Sequence, residues 1–364
     1  MKFTIIGAGN GGQSMAAHLK IMKQQVVLYD IQENLIQQIN DRGHITVEGV
    51  IEGSVPIKAT TDVADALKET DVIMVTTTGP AHKSVAKSIA PYLKDGQLIM
   101  ILPGYWGALE FRKTFKQLGI QKNVYVAETE SLIYTCRSIH PGHVRIRKIK
   151  DSLEFASLPA SDSPIVKDIL KDIYPQLKIA SNVLITTMNN CNPIFHVPIT
   201  LMNAGRIESE GDFYFYPDGA TPSVVNVMEQ LERERLEIGK KLKINLSTCL
   251  ELLNRFYDVK EANLYDAIQS NTAYKTGKAP TTLRYRYIYE DIPYGLIPMV
   301  SLGEKLGVDM ACSNLLVDLA SIAMKEDLRK RGLTLLDLGI DGMSKEEIVE
   351  YLAGSAGRVV GEVR

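Results

Sequence analysis

In the stretch NNCNPIFHVPITLMNAGRIES, Asn189 to Ser209, helical spacing puts His196, Thr200, Asn203 and Arg206 on one face and Val197, Leu201 and Ala204 on another. A polar stripe with one imidazole on an otherwise apolar helix suits proton transfer near neutral pH, or a hydrogen-bonded core histidine. Pro193 and Pro198 leave the helix start open: each lacks an N–H and restricts the residue before it, so His196 stands either in a kink or on regular helix. A second cluster lies in TTLRYRYIYEDIPYGLIPMV, Thr281 to Val300, where Arg284, Arg286, Glu290 and Asp291 fall within eight residues of otherwise aromatic and apolar chain. Two cations and two anions so close make a surface salt-bridge cluster, which contributes little. Alternatively, one guanidinium grips a substrate carboxylate by two parallel bonds while an adjacent carboxylate orients a catalytic imidazole.

A third set of residues points to phosphate. KFTIIGAGNGGQSMAAHLK opens with an apolar strand, Phe3 to Ile6, followed by Gly7, Gly9 and Gly12 in GxGxxG spacing and a helical pattern through Met15, Ala16, Leu19 and Met22. The first glycine permits the turn, the second lets backbone approach a pyrophosphate, and the third lets helix pack on strand, with the helix N-terminus facing the phosphates. The loop Gly7, Gly9, Asn10, Gly11, Gly12 is thus a candidate dinucleotide site. The next strand, Gln25 to Tyr29, ends in Asp30, where a carboxylate can hold a ribose diol. Its charge repels a ribose phosphate, and Ile31, Gln32 and Glu33 supply no cation to offset that, so NAD is favoured over NADP.

These groups need two scaffolds, and 364 residues suffice for about two domains. In the first half, Ile45 to Val50, Val55 to Ala59, Val72 to Thr76, Gln97 to Leu102 and Val124 to Glu128 read as strands, alternating with helical patterns such as Ala81 to Leu93. Such alternation means a mostly parallel, doubly wound sheet that binds ligands beyond its strands' carboxyl ends. Those ends carry TTTGPAH with His82, PGYWG, and AETESLIYTCR, Ala127 to Arg137; His82 reads as a turn or helix start. From about Asn182 the pattern turns helical. Thr221 and Pro222 open a long helix, and Leu246 to Tyr257, Ala262 to Ser270, Asp309 to Arg331 and Lys345 to Leu352 give others, the last behind a capping box of Ser344 and Glu347. The expected class is α/β: a Rossmann-type dinucleotide-binding domain over 1–182 and an all-helical substrate and catalytic domain over 183–364.

Composition narrows the partners. With 41 basic against 43 acidic residues the net charge is −2, so no electrostatic footprint for nucleic acid exists. Cys136, Cys191, Cys249 and Cys312 stand singly, without metal spacing, and read as free, reduced thiols. No signal-peptide pattern precedes the first strand, so a cytoplasmic location is expected. Ile179 to Gly205 lacks any Asp, Glu, Lys or Arg, but five asparagines and two prolines break a lipid-facing stripe, and it reads as buried polar cleft rather than membrane span. A homodimer is left open, because an apolar helix face buries equally against its own chain or a second copy.

The order of these pieces resembles the opine dehydrogenases, the octopine and nopaline dehydrogenase family, over nearly the whole chain. The matching runs are the glycine fingerprint, AETESLIYTCR, NPIFHVPITLMNAGRIE, YPDGATPSV and RYIYEDIPYGLIP. The fingerprint is generic, whereas the His-bearing helix and the RYxxEDxPYGL run are specific to that family. Its members use a reduced nicotinamide cofactor to join the amine of an amino acid to a 2-oxo acid, commonly pyruvate, giving an N-(carboxyalkyl)amino acid. The resemblance implies His196 as the acid/base, Asp291 as its orienting carboxylate and Arg286 as the clamp on the 2-oxo acid. It also places Glu128 and Thr129 beside the amino-acid substrate. Asn203, Arg206, Tyr134 and Arg137 lie in matching segments without an implied role. Ketopantoate reductase and glycerol-3-phosphate dehydrogenase share the architecture but use a lysine in the helical domain, and this chain has none between Lys178 and Lys240. A regulator that binds NAD without chemistry is the remaining alternative, and it would need neither polar stripe nor carboxylate clamp.

Overall fold

The apolar runs of the first half become strands because they are buried on both faces: β1 (Lys2–Ile6) is covered from its second residue on. β2 spans Gln25–Tyr29, β3 His44–Gly49, β4 Gly53–Pro56, β5 Lys58–Thr60, β6 Val72–Val75, β7 Leu98–Ile101, β8 Tyr125–Thr129, β9 Tyr134–His140, β10 His143–Ile149, β11 Leu153–Ser157 and β12 Leu177–Ile179. β6 (VIMV) and β7 (LIMI) are buried at every residue, as the inner strands of a doubly covered sheet must be. The main sheet has the order β12-β11-β8-β7-β6-β1-β2-β5, parallel throughout except where β11 runs against β8. Chain connections leave β1 toward β2 on one side and return through β6 on the other, so the loops after β1 and β6 diverge and open a crevice at the carboxyl ends.

The computed structural model describes residues 1–209 and 211–354. It forms two compact units, one made of Met1–Thr187 together with the described residues from Gly342 on, the other of Met188–Asp341. The division therefore differs from the expected 182/183. Thr186 and Thr187 are held by hydroxyl hydrogen bonds to Glu128 of β8, which keeps the helix Val183–Met188 with the first unit almost to its end. The capped helix Lys345–Ala353 belongs there too: Gly354 lies so close to Pro159 that a Cβ would stand 2.6 Å from that ring.

The first unit also differs from a single parallel sheet. β3 and β4 form a hairpin that joins β9 and β10 in a separate four-stranded sheet, β4-β3-β10-β9, while β5 alone of that region pairs with β2. This small sheet braces the glycine helix Asn10–Ile21: Gly142 N–H donates to Gln13 Oε1 (2.8 Å), and Ser138 N–H donates to Asn10 Oδ1 (3.0 Å).

His82 is the first residue of the helix His82–Ile89, fully buried with its ring edge-on to Phe111. Burial lowers its pKa to about 4 from an ordinary 6.5. Its neutral form therefore contributes stability that is complete above pH 6.5 and is lost as pH falls toward 4, about 3 kcal/mol over the window. Urea unfolding from pH 7 down to 4 is expected to show that extra loss in the native chain and not in His82→Gln; equal slopes would count against it.

The second unit is helical apart from an isolated bridge between Tyr214 and Lys278. Its axis is the helix Pro222–Leu242, which buries Val224, Val225, Met228, Leu231, Ile238 and Leu242 at helical spacing. Two charges on it are buried as well. Glu234 accepts from the backbone N–H groups of Cys312 (2.7 Å) and Ser313 (3.0 Å), capping the helix Ala311–Met324 from outside. That helix stops at Met324, short of the expected Arg331, because Lys325 takes a left-handed conformation.

Candidate active site

The glycine loop in the first unit has the dimensions its residues imply. Gly7 takes φ +101°, which an L side chain rarely adopts, and a Cβ on Gly12 would stand 1.7 Å from the Gly7 carbonyl oxygen, so helix and strand touch through backbone. A Cβ on Gly9 would meet nothing within 4 Å: the space above the loop is open. No side chain caps the helix Asn10–Ile21, leaving its first N–H groups for an anion. The Asn10 side chain turns to Ser138, and Gly11 faces Leu132, so what these two offer a ligand is backbone.

Asp30 stands at the end of β2, 9 % exposed, and accepts from Ala8 N–H (2.7 Å) and Gln32 N–H (3.0 Å). Beside it a cavity of about 200 Å³ is lined by Gly7, Ile31, Thr77, Ala81, Ser84 and Val85 among others. Open backbone, an uncapped helix, a carboxylate and a largely apolar cavity together fit a dinucleotide, whose diphosphate the glycine loop would hold and whose ribose Asp30 would hold.

The first unit also holds Glu128 and Thr129. Both are wholly buried. Glu128 Oε1 accepts from Thr186 Oγ1 (2.9 Å) and Thr187 Oγ1 (2.6 Å), and Oε2 accepts from Ala108 N–H (2.9 Å) at the start of the helix Gly107–Gln117. Thr129 Oγ1 donates to the Ser131 carbonyl (2.7 Å). Burial pushes the Glu128 carboxyl up to about 7 against three donors that pull it down. Every oxygen is engaged inside the unit, so Glu128 acts as a brace: it ties β8 to the PGYWG loop, whose Trp106 N–H also donates to Thr187 Oγ1 (2.8 Å).

In the second unit the helix Asn192–Met202 starts behind Cys191, with Pro193 in its first turn and Pro198 inside it. His196 is thus within the helix, and 6 % exposed. Its Nδ1 lies 2.7 Å from Asp291 Oδ2, and its Nε2 lies 2.9 Å from the Tyr216 hydroxyl. The ring stacks on Tyr287 at 4.0 Å between centroids. Asp291 is fully buried and begins the widened π-turn Ile292–Leu296, a rare geometry often found at functional sites. A carboxylate on Nδ1 holds the proton there, so neutral His196 presents a lone pair at Nε2 to the Tyr216 O–H. Burial raises the Tyr216 hydroxyl well above its ordinary range, which keeps it a neutral donor.

Arg286 opens the preceding short helix Arg286–Tyr289, five residues before Asp291. Glu290, itself buried, accepts from Arg286 Nε (2.8 Å) and stands 2.7 Å from its NH2, while 45 % of the arginine side chain stays exposed. Glu290 fixes one edge of the guanidinium fork. Arg284, by contrast, joins Glu326 (2.7 Å) and the Tyr289 hydroxyl on the surface. The four charges of this run therefore divide: Arg284 is the surface cluster, and Arg286, Glu290 and Asp291 are the built site.

The lower half of the polar stripe positions the loop that carries Tyr216. Asn203 Nδ2 donates to the Gly219 carbonyl (3.1 Å), Arg206 NH1 reaches the Asp218 carbonyl (3.4 Å), and its guanidinium lies 4.0 Å over the Phe213 ring. Tyr216 in turn stacks on Tyr274 at 3.9 Å. Sequence reading missed Tyr216, Tyr287 and Glu290 as partners; YPDGATPSV and RYIYED were visible as runs, but nothing in their spacing shows which ring meets His196.

The family model described as NAD/NADP octopine/nopaline dehydrogenase, alpha-helical domain, matches residues 179–324, and that of the NAD-dependent glycerol-3-phosphate dehydrogenase N-terminus matches residues 2–110. The chain is 37% identical to an opine dehydrogenase of Arthrobacter sp. over 345 residues, 94% of this chain and 96% of that protein. It is 24% identical to vitopine synthase of Allorhizobium ampelinum over 97% of this chain and 99% of the relative. Its fold is shared with a solved octopine dehydrogenase in complex with NADH and agmatine, at TM-score 0.79 and 19% identity over 98% of this chain and 99% of that one. A ketopantoate reductase of the PanE/ApbA family from Ralstonia eutropha is less similar, at TM-score 0.64, with 91% of this chain and 99% of that one covered and 18% identity.

Proposed function

The chain belongs to the opine dehydrogenase family, and we propose on that premise that it condenses the amine of an amino acid with a 2-oxo acid such as pyruvate, reducing the product with NADH. It is an NAD(P)-dependent oxidoreductase with NAD(H) as cofactor, and the observation that carries the finer reading is His196 held between Asp291 and Tyr216, with Arg286 five residues before Asp291. Gly7, Gly9 and Gly12 with the first N–H groups of the following helix hold the diphosphate, and Asp30 holds the ribose. When bound, the reduced nicotinamide supplies the hydride for the carbon–nitrogen double bond.

The chain's own residues do the rest. Arg286, positioned by Glu290, grips the carboxylate of the oxo acid, which fixes the carbonyl carbon in one orientation. His196, protonated at Nε2, donates to the carbonyl oxygen as the neutral amine attacks, takes up the proton that the new ammonium nitrogen releases, and donates it to the hydroxyl that leaves as water. Asp291 stabilises each imidazolium and holds the ring angle. Tyr216 keeps a proton acceptor and donor at Nε2 between these steps. Among the described residues no helix is long and apolar enough to cross a membrane.

Following NADH absorbance with pyruvate and a panel of amino acids tests the reading. Oxidation that requires an amine is expected; oxidation with pyruvate alone, unaffected by any amine, would instead make the protein a 2-hydroxy-acid dehydrogenase. Arg286→Gln is expected to raise KM for the oxo acid about tenfold to a hundredfold, the worth of a charge-assisted fork, with KM for the amino acid little changed. An unaltered oxo-acid KM would remove Arg286 from the clamp. Tyr216→Phe is expected to lower kcat about tenfold with both KM values held, since only the hydroxyl at Nε2 is lost; a change confined to KM would make the residue a wall.

A further inference from the structure

Cys191 and Cys249 are far apart in sequence, yet their sulfurs stand 3.1 Å apart in the second unit. A disulfide bonds at about 2.05 Å, so closure asks for roughly 1 Å of movement. The two thiols are held there by a scaffold. Buried Arg235 donates from NH1 to the Met188 carbonyl (3.2 Å) and Asn189 Oδ1 (3.3 Å), just before Cys191, and from NH2 to the Ser247 carbonyl (2.6 Å), just before Cys249. Asn189 Oδ1 also accepts from Ser247 N–H (3.1 Å), so both turns are stapled to one guanidinium and to each other. Each cysteine stands at a helix N-terminus: Cys191 precedes Asn192–Met202, and Cys249 opens Cys249–Tyr257.

We propose that Cys191 and Cys249 form a reversible disulfide, with a peroxide as oxidant, that disables the helix carrying His196. Cys191 is 9 % exposed and Cys249 not at all, which makes Cys191 the thiol that meets the oxidant. Burial also holds the Cys249 thiol well above its ordinary range, so it waits protonated. The Cys191 sulfur attacks one peroxide oxygen; the S–O bond forms as the O–O bond breaks, and the departing oxygen leaves as water with the thiol proton. The Cys249 sulfur then attacks the sulfenic sulfur, the S–S bond forms, the S–O bond breaks, and the hydroxide leaves as a second water with the Cys249 proton. Two thiols are oxidised and one peroxide is reduced to two waters. The linkage pulls the start of the catalytic helix toward Cys249, five residues from an imidazole whose bond to Asp291 is 2.7 Å long.

The test uses the full chain treated with hydrogen peroxide and then digested without reduction. Expected are a Cys191–Cys249 linked peptide lighter by two hydrogens, at least about tenfold lower amine-dependent NADH oxidation, as a misplacement near 1 Å implies, and recovery of both in dithiothreitol. Cys249→Ser is expected to keep the starting activity and to resist that reversible loss. Peroxide that modifies Cys136 or Cys312 while the pair stays reduced would overturn the site, and a crosslink that leaves turnover unchanged would overturn the switch. The activity half rests on the condensation reading; the crosslink is read by mass and stands or falls without it.

Discussion

His196→Ala is expected to lower turnover by about a hundredfold to ten-thousandfold while NADH still binds. The imidazole is enclosed by its own unit: Asp291 on one nitrogen, the Tyr216 hydroxyl on the other, and the Tyr287 ring against its face. Removing it takes away the group proposed to give and recover a proton at the reacting oxygen. The groups proposed for the dinucleotide, Gly9 and Asp30, belong to the other unit. Steady-state kcat beside NADH fluorescence titration separates the two effects. Unchanged kcat would dismiss His196 from the chemistry, and lost NADH binding would show that the variant had not folded natively.

The second large effect is expected from Asp291→Asn. The amide keeps the carboxylate's shape in a fully buried place but removes the charge that stabilises imidazolium, and it can hold the ring in the other tautomer. Loss on the order of a hundredfold to ten-thousandfold in kcat is expected, with KM for the oxo acid little changed because Arg286 and Glu290 are untouched. The double variant with His196→Ala is expected to be no slower than His196→Ala alone, because the carboxylate acts through the ring. Additive losses would give Asp291 an independent role. Asp291→Ala is the poorer probe, since it also leaves a cavity beneath the ring.

What could be read without coordinates were features whose physics is local. The glycine loop and Asp30 are legible because each residue type answers a backbone or charge requirement within a few positions. His196, Arg286 and Asp291 were legible through the family resemblance, which supplied a pairing across 95 residues that helical periodicity cannot. Periodicity alone left Arg284 and Arg286 equivalent; the structure separates them because Glu290 is one helical turn after Arg286, whereas Arg284 meets Glu326 on a distant segment. Tyr216 stayed hidden for the same reason, since a tyrosine in a loop reads as surface until Asn203 and Arg206 are seen to hold that loop against the helix.

Glu128 was placed beside the amino-acid substrate by the family resemblance alone, and its bonds to Thr186 and Thr187, 58 and 59 positions later, have no local signal in the sequence. The small sheet was missed because β3 pairs with β10 from nearly a hundred residues later, and alternation of apolar runs does not reveal which sheet a strand joins. The cysteines, read as single, meet for a like reason: Arg235 gathers two turns whose sequences share no pattern.

The proposed condensation makes a new carbon–nitrogen bond at His196. Incubating the protein with NADH, pyruvate and a 15N-labelled amino acid, then weighing the products, addresses it most directly. The expected product carries the label and has the summed mass of the two acids less one oxygen atom. NADH consumed with a 2-hydroxy acid as the sole product, and all label remaining in the starting amino acid, would contradict it.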